Sequence, residues 1–446
     1  MNRARSHVAF TAVTAVAYAM FFLMMALPFF YLEIKLPLLA FVSISIAVWV
    51  VMRRGVLPLH PTIGRWSIYY ATLGLFFILL GTYRARDDAW FYVVPLYVVF
   101  PLIYTVLLLG ASRVRILIGL QRTMVLAGAG IGTYTILYFL SHAGIVPQWT
   151  WLELDPLGVA YDQKGVVGVR MGSISTLVFL LPYLISKLIV REPRARVTIH
   201  PRWIWMAVIV CFPVGVLAGR KALLLVTVLA PFVTVGLIKL LPAVDRGVMK
   251  RQLLGFSMVL MLLVIGGGSL VQKTLFVNYQ GVFQRVSDGL VISADTHDRG
   301  AYERWGQLHA LLRGWSHHPL LGVGHGVALP DVVRAPEKPW RYELSYIALL
   351  YHTGIIGLLA YGAGIAWLIR TAMRVIRSGG WWGRSMIPHV VGLLSMVIAY
   401  ATNPYFDTFD AIWTIFVPLA FVNVWMQEVA SEPHPKLRHC AVGVGS

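Results

Sequence analysis

The feature that most limits what this chain can fold into is a series of apolar runs, each close to membrane-crossing length. They fall near 8–29, 36–52, 66–83, 90–110, 123–143, 172–190, 203–219, 222–241, 253–272, 343–369, 386–401 and 411–427, and they are almost free of charge. A helix needs about 20 apolar residues to cross the hydrocarbon core. About twelve spans are therefore expected, in an all-α polytopic membrane protein with residues 1–446 as a single transmembrane domain. Composition agrees, with 58% hydrophobic and 13% charged residues, where a soluble domain carries roughly a quarter charged. The first run exceeds a signal-peptide core and no small-residue cleavage pattern follows it, so it reads as the first span.

Between the runs, basic residues concentrate in alternate loops. One set holds Arg3 and Arg5; Arg53, Arg54 and Arg65; Arg113, Arg115 and Arg122; and Arg191, Arg194, Arg196 and Arg202. It continues through Arg246, Lys250 and Arg251 to Arg370, Arg374, Arg377 and Arg384, and ends with Lys436 and Arg438 in the tail. Short cytoplasmic loops carry the excess of Lys and Arg, so both termini are expected in the cytoplasm. The formal charge of +19 would suit nucleic acid in a soluble chain; dispersed over interhelical loops, it excludes that partner and leaves membrane lipids. Cys211 falls inside a span and Cys440 in the tail 428–446, which reads as disordered. No disulfide framework or metal cluster follows from that pair.

Two loops on the sparsely charged face are long, about 144–171 and 273–342. Arg170 closes the first, immediately before a span, and reads either as a snorkelling interfacial arginine or as a site residue. Arg220, with Lys221 beside it, sits at the apex of a hairpin between two apolar runs, on the face that disfavours positive charge. Ionisable groups in such places tend to mark substrate pathways. In the second loop, Trp305, Leu308, Leu312 and Trp315 recur at helical spacing with Arg299 and Arg304 among them, until Pro319 and the glycines of HPLLGVGHG break the pattern. Gly322 and Gly324 would let backbone amides approach an anion closely. Histidines 309, 317, 318, 325 and 352 match no metal-ligand spacing. Glu343 is either an ordinary first-turn carboxylate stabilised by the helix dipole or a general base whose pKa desolvation raises toward neutrality. An arginine cluster at a membrane face suits a lipid-linked phosphate, since the guanidinium fork donates two hydrogen bonds to it.

The order of these pieces resembles the O-antigen ligase and polymerase superfamily, bacterial polytopic glycosyltransferases. The resemblance rests on Arg170 before a span, Gly219-Arg220-Lys221-Ala222, Arg299 and Arg304 followed by HPLLGVGHG, and ELSYIALLYHTGIIGLL, and it covers about 165–360. It implies a GT-C-like bundle in the bacterial inner membrane, with its site on the periplasmic face. It also implies a metal-independent, inverting transfer with no cofactor, from an undecaprenyl-diphosphate-linked glycan to a glycan or lipid A–core acceptor. Arg170, Arg220, Arg299 and Arg304 would hold the diphosphate. The family's histidine at the start of the late helix is replaced here by Glu343, so the base is either Glu343 or a loop histidine such as His325. Ligase and polymerase both remain open, and a transporter of lipid-linked or small anionic substrates is the alternative from another class.

Overall fold

The computed structural model describes residues 2–52, 58–85, 90–149, 154–155, 158–163, 166–190, 199–218, 220–242, 299–330, 332 and 337–431. Helices α1 (Asn2–Ala26), α2 (Leu32–Met52), α3 (Pro61–Ala85) and α4 (Trp90–Val94) come first. A π-helical turn, Pro95–Val99, joins α4 to α5 (Phe100–Gly110), and α6 (Val114–His142) follows. A two-stranded antiparallel hairpin, β1 (Val159–Gln163) and β2 (Val166–Arg170), leads into α7 (Ile174–Ile189), α8 (Pro201–Leu217) and α9 (Lys221–Ile238). Then come α10 (Arg299–Ser316), α11 (Ser345–Arg377), α12 (Gly380–Tyr400) and α13 (Phe409–Ser431).

Among the described residues, eight helical stretches are long and apolar enough to cross a membrane, and α1, α7 and α8 contribute shorter apolar helices. The chain is a helical multi-pass membrane protein. The expected span at 253–272 and residues 273–298 of the large loop lie outside the described residues, as does the tail from 432. Three boundaries differ from the hydropathy reading. Helix α6 begins at Val114 rather than near 123, α12 begins at Gly380, and α11 runs on to Arg377. Arginine favours helix and extends its head toward water from a helix end, so basic residues did not mark where these helices stop. Residues 428–431, expected in a disordered tail, are the last turn of α13.

Helix α7 is the centre of the bundle. It is buried along nearly its whole length, packed by α6, α8, α9 and α12, and its polar residues Ser175, Thr176, Ser186 and Lys187 are buried too, Lys187 donating to Gln121 Oε1 at 3.2 Å. Helix α6 packs closely at Gly128 and Gly132, where an added Cβ would run into Leu184 of α7 and Val210 of α8. Small residues four apart let membrane helices approach closely, and the Cys211 thiol donates to the Gly128 carbonyl at 2.9 Å.

One end of the bundle gathers connections from distant parts of the sequence. Asp155, buried in the first long loop, accepts the Ser173 N–H at 3.1 Å and so fixes the hairpin to the N-terminus of α7. The α1–α2 turn holds Phe29 and Tyr31 at positive φ (74° and 56°), an unfavourable backbone for non-glycine residues. It is tied down by the Phe29 N–H donating to Asp410 Oδ2 at 2.8 Å and by the Tyr31 hydroxyl donating to the Leu154 carbonyl at 2.9 Å. Lys35 makes a buried ion pair with Asp410 at 3.2 Å and also donates to the Leu27 carbonyl. Removing one partner of a buried pair leaves an uncompensated charge. Lys35→Met is expected to destabilise the fold by about 3–5 kcal/mol, read as a lowered Tm in detergent. Lys35→Met with Asp410→Asn should recover part of that loss, because asparagine keeps an acceptor for Phe29. A single variant as stable as the wild type would show that the pair contributes nothing.

Helix α11 is broken at Gly354 (φ 62°, ψ −172°), a backbone region open essentially to glycine alone. The segment Pro319–His325 docks along this break. Ile355 and Ile356 donate to the carbonyls of Pro319 and Leu320 at 3.0 and 3.1 Å, and Val323 and Gly324 donate to those of Tyr351 and His352 at 3.0 and 2.7 Å. Helix α3 closes the other side, with the His325 N–H on the Phe77 carbonyl at 2.8 Å and Arg84 donating to the Gly322 carbonyl. Irregular backbone packed among apolar helices persists where protein satisfies its polar groups. This corrects the expectation of an anion cradle. The amides of Gly322 and Gly324 point at carbonyls of His318 and His352, and an added Cβ at either glycine would meet backbone of α11 or α3. The glycines serve close backbone packing.

Candidate functional site

Above α7, the converging connections leave a cavity of about 600 Å³. Its walls come from the start of α2, the α4–π-helix segment, Ser175 of α7, Arg220 before α9, the 338–342 turn, the first turns of α11 and the α12–α13 connection. Three cations line it: Arg220, Lys338 and Arg341. Arg220 stands in extended conformation at the N-cap of α9, and its Nη2 donates to the Met171 carbonyl at 3.0 Å. Arg341 donates from Nη2 to the Pro404 carbonyl at 3.2 Å, while its Nε is buried with no hydrogen-bond partner among the described residues. Arg341 lines the cavity, and a guanidinium held there suits an anion.

The acids are Asp407 and Asp410. Asp410 is already engaged by Lys35 and the Phe29 amide. Asp407, in the connection before α13, accepts the Tyr400 hydroxyl at 2.9 Å on Oδ1. Burial pushes its carboxyl above the usual range, opposed by the nearby Arg341 cation and by the Tyr400 hydrogen bond. His325 is buried, stacked on Tyr97 with ring centroids 3.8 Å apart and planes at 11°, and its Nε2 lies 3.1 Å from the Tyr361 hydroxyl. Burial, and then the neighbouring His352, hold the His325 imidazole well below its ordinary pKa and therefore neutral. His352 is buried with Nε2 3.1 Å from the Val327 carbonyl, which only accepts, so this nitrogen carries the proton.

A second cavity of about 400 Å³ shares Leu96, Tyr97, Leu349, Tyr400 and Asp407 with the first and runs between α3, α11, α12 and α13. Its walls are apolar. The Trp66 indole and the Tyr70 hydroxyl both turn to α11 carbonyls, those of Gly364 and Tyr361, at 3.0 and 2.7 Å. Both residues line the groove.

The residues singled out from sequence separate into two places. Arg220 and His325 line the cavity. Arg304 and Glu343 instead pair with each other at 2.7 Å, with the Glu343 N–H donating to Gln307 Oε1 at 3.1 Å, and neither lines the cavity. Arg170 ends β2 with an exposed side chain, outside the cavity wall. Arg299 opens α10, and its side chain lies outside the described residues. Sequence reasoning passed over Lys338, Arg341 and Asp407. The available signals were the basic turn KPWR ahead of a span and the paired acids of FDTFD between the last two spans. Among the described residues, no group of three or more His, Cys, Asp or Glu side chains is placed to hold a metal ion. No protein-family model matches the chain, and a search of the curated proteins finds no match.

Proposed function

We propose that this chain is a membrane glycosyltransferase that moves a glycan from undecaprenyl diphosphate to an acceptor hydroxyl. One observation carries the reading: a cavity lined by three cations shares a wall with an apolar groove between membrane helices. Head and tail of a lipid diphosphate have opposite solvation needs, and this pair of spaces meets both. The GT-C-like bundle would lie in the bacterial inner membrane, with both termini cytoplasmic and the cavity facing the periplasm, in keeping with the charge asymmetry of the loops.

In this reading Arg220 and Arg341 bind the diphosphate, and Asp407 takes the proton from the acceptor hydroxyl. The acceptor oxygen forms its bond to the anomeric carbon from the face opposite the leaving group. The bond from that carbon to the diphosphate oxygen breaks with its electron pair, which gives inversion. Charge that develops on the departing diphosphate meets fixed guanidinium groups. Asp407 replaces Glu343 as the assigned base because it lies on the cavity wall, whereas Glu343 is paired with Arg304 outside it. Glu343 then orders α10 through Arg304.

Purified protein in detergent with EDTA, an undecaprenyl-diphosphate-linked glycan and a candidate acceptor is expected to give transfer. A single addition to a lipid A–core acceptor would make it an O-antigen ligase, and a ladder of lengthening glycans a polymerase. Donor crossing the bilayer of liposomes, with no transfer to any acceptor, would overturn the reading in favour of a transporter.

A further inference from the structure

The rim of the cation-lined cavity carries two aromatic rings, Tyr92 and Trp340. Tyr92, in the first turn of α4, is 57% exposed, and Trp340 faces it with ring centroids 5.7 Å apart and planes inclined at 35°. Both line the cavity. Trp340 belongs to the turn Lys338-Pro339-Trp340-Arg341, which is closed by the Arg341 N–H donating to the Lys338 carbonyl at 3.0 Å. Proline at the second position of a four-residue turn fixes its φ, so one rigid turn presents the Trp340 ring at its tip and Arg341 at its base. Among the described residues, neither the Trp340 indole N–H nor the Tyr92 hydroxyl has a hydrogen-bond partner.

Aromatic side chains of this kind gather at membrane interfaces as anchors. An anchor, however, faces lipid from a helix surface. These two rings stand on the wall of a cavity, and Trp340 sits on the turn that also delivers Lys338 and Arg341 to it. A pyranose presents a face of C–H groups that packs on an aromatic ring and a rim of hydroxyls that seek donors and acceptors. A ring pair whose N–H and O–H meet no partner among the described residues offers both.

We propose that Tyr92 and Trp340 form a sugar-stacking subsite that holds the first residues of the glycan beside the diphosphate. This rests on the lipid-diphosphate reading of the cavity. It makes the rim, rather than the apolar groove, the part of the site that distinguishes a loaded donor from the spent lipid.

The test uses wild type, Trp340→Ala and Trp340→Phe in nanodiscs. Binding is measured for undecaprenyl diphosphate, bare and carrying a short oligosaccharide. Wild type is expected to hold the glycan-bearing lipid roughly tenfold more tightly than the bare one. Trp340→Ala should lose that advantage while binding the bare lipid as before, and Trp340→Phe should keep most of it. Equal weakening of both lipids by Trp340→Ala would show that the ring only braces Arg341, and would overturn the subsite. So would a wild type that binds bare and loaded lipid alike, which leaves the lipid-diphosphate reading standing. Binding of neither lipid by the wild type would sink that reading and the subsite with it.

Discussion

Alanine at Arg220 or Arg341 is expected to lower kcat/KM for glycan transfer by about 10- to 150-fold each. A hydrogen bond to a charged group contributes about 1.5–3 kcal/mol, and each 1.36 kcal/mol is about tenfold in rate. Both guanidinium groups line the cavity, and each is anchored by one carbonyl, Met171 for Arg220 and Pro404 for Arg341, at 3.0 and 3.2 Å. That leaves the remaining N–H groups for a ligand and fixes the arginine before it binds, so little ordering entropy is lost on association. Arg341→Lys should fall between wild type and alanine, because it keeps the charge and loses the fork. Arg304→Ala is the control. Its guanidinium meets Glu343 at 2.7 Å outside the cavity wall, with side chains 32% and 21% exposed, and such a pair contributes about 1 kcal/mol or less. Wild-type kcat/KM in both Arg220→Ala and Arg341→Ala would remove the diphosphate from this cavity.

The bundle was largely legible in the sequence because hydrocarbon imposes one rule on every spanning segment. Runs such as 90–110 and 222–241 could hardly be anything but membrane helices. The rule says nothing about how a helix ends or bends. Helix α6 therefore begins before Arg115 and Arg122, and the break at Gly354 hides in an apolar run that reads as continuous. The GVGHG glycines were visible as a backbone demand, but composition does not reveal what approaches a glycine; here it is α11 and α3 rather than an anion. The site was harder still, since its walls come from connections between 29 and 410 that only the packed bundle brings together. Arg220 stood out because positive charge at a hairpin apex on the sparsely charged face is unusual. Arg341 and Asp407 did not, because one lay in a basic turn and the other among ordinary loop acids. Glu343 attracted attention by its place in a motif, and its partner Arg304, thirty-nine residues upstream, accounts for its charge.

Asp407→Asn is expected to lower kcat by about 100- to 10,000-fold, the usual contribution of a general base, with little change in the binding of bare undecaprenyl diphosphate. The pH dependence gives a sharper reading. The base works as the carboxylate, and burial raises the Asp407 pKa above that of an ordinary carboxyl. Wild-type activity should therefore fall on acidification through a midpoint above the ordinary carboxylate range and level off above it. Arg341 lowers that pKa, so Arg341→Gln should move the midpoint upward as well as weaken donor binding. A phosphate contact with no bearing on Asp407 would leave the midpoint in place. Asp407→Asn should abolish this limb of the profile in whatever activity remains. Glu343→Gln, which breaks the pair with Arg304 outside the cavity wall, should retain more than a tenth of wild-type kcat with the same midpoint. The reverse pattern, with Glu343→Gln inactive and Asp407→Asn active, would make Glu343 the base. Helix α10 would then have to release Glu343 from Arg304, and the start of α11 would have to turn it into the cavity, before transfer could begin.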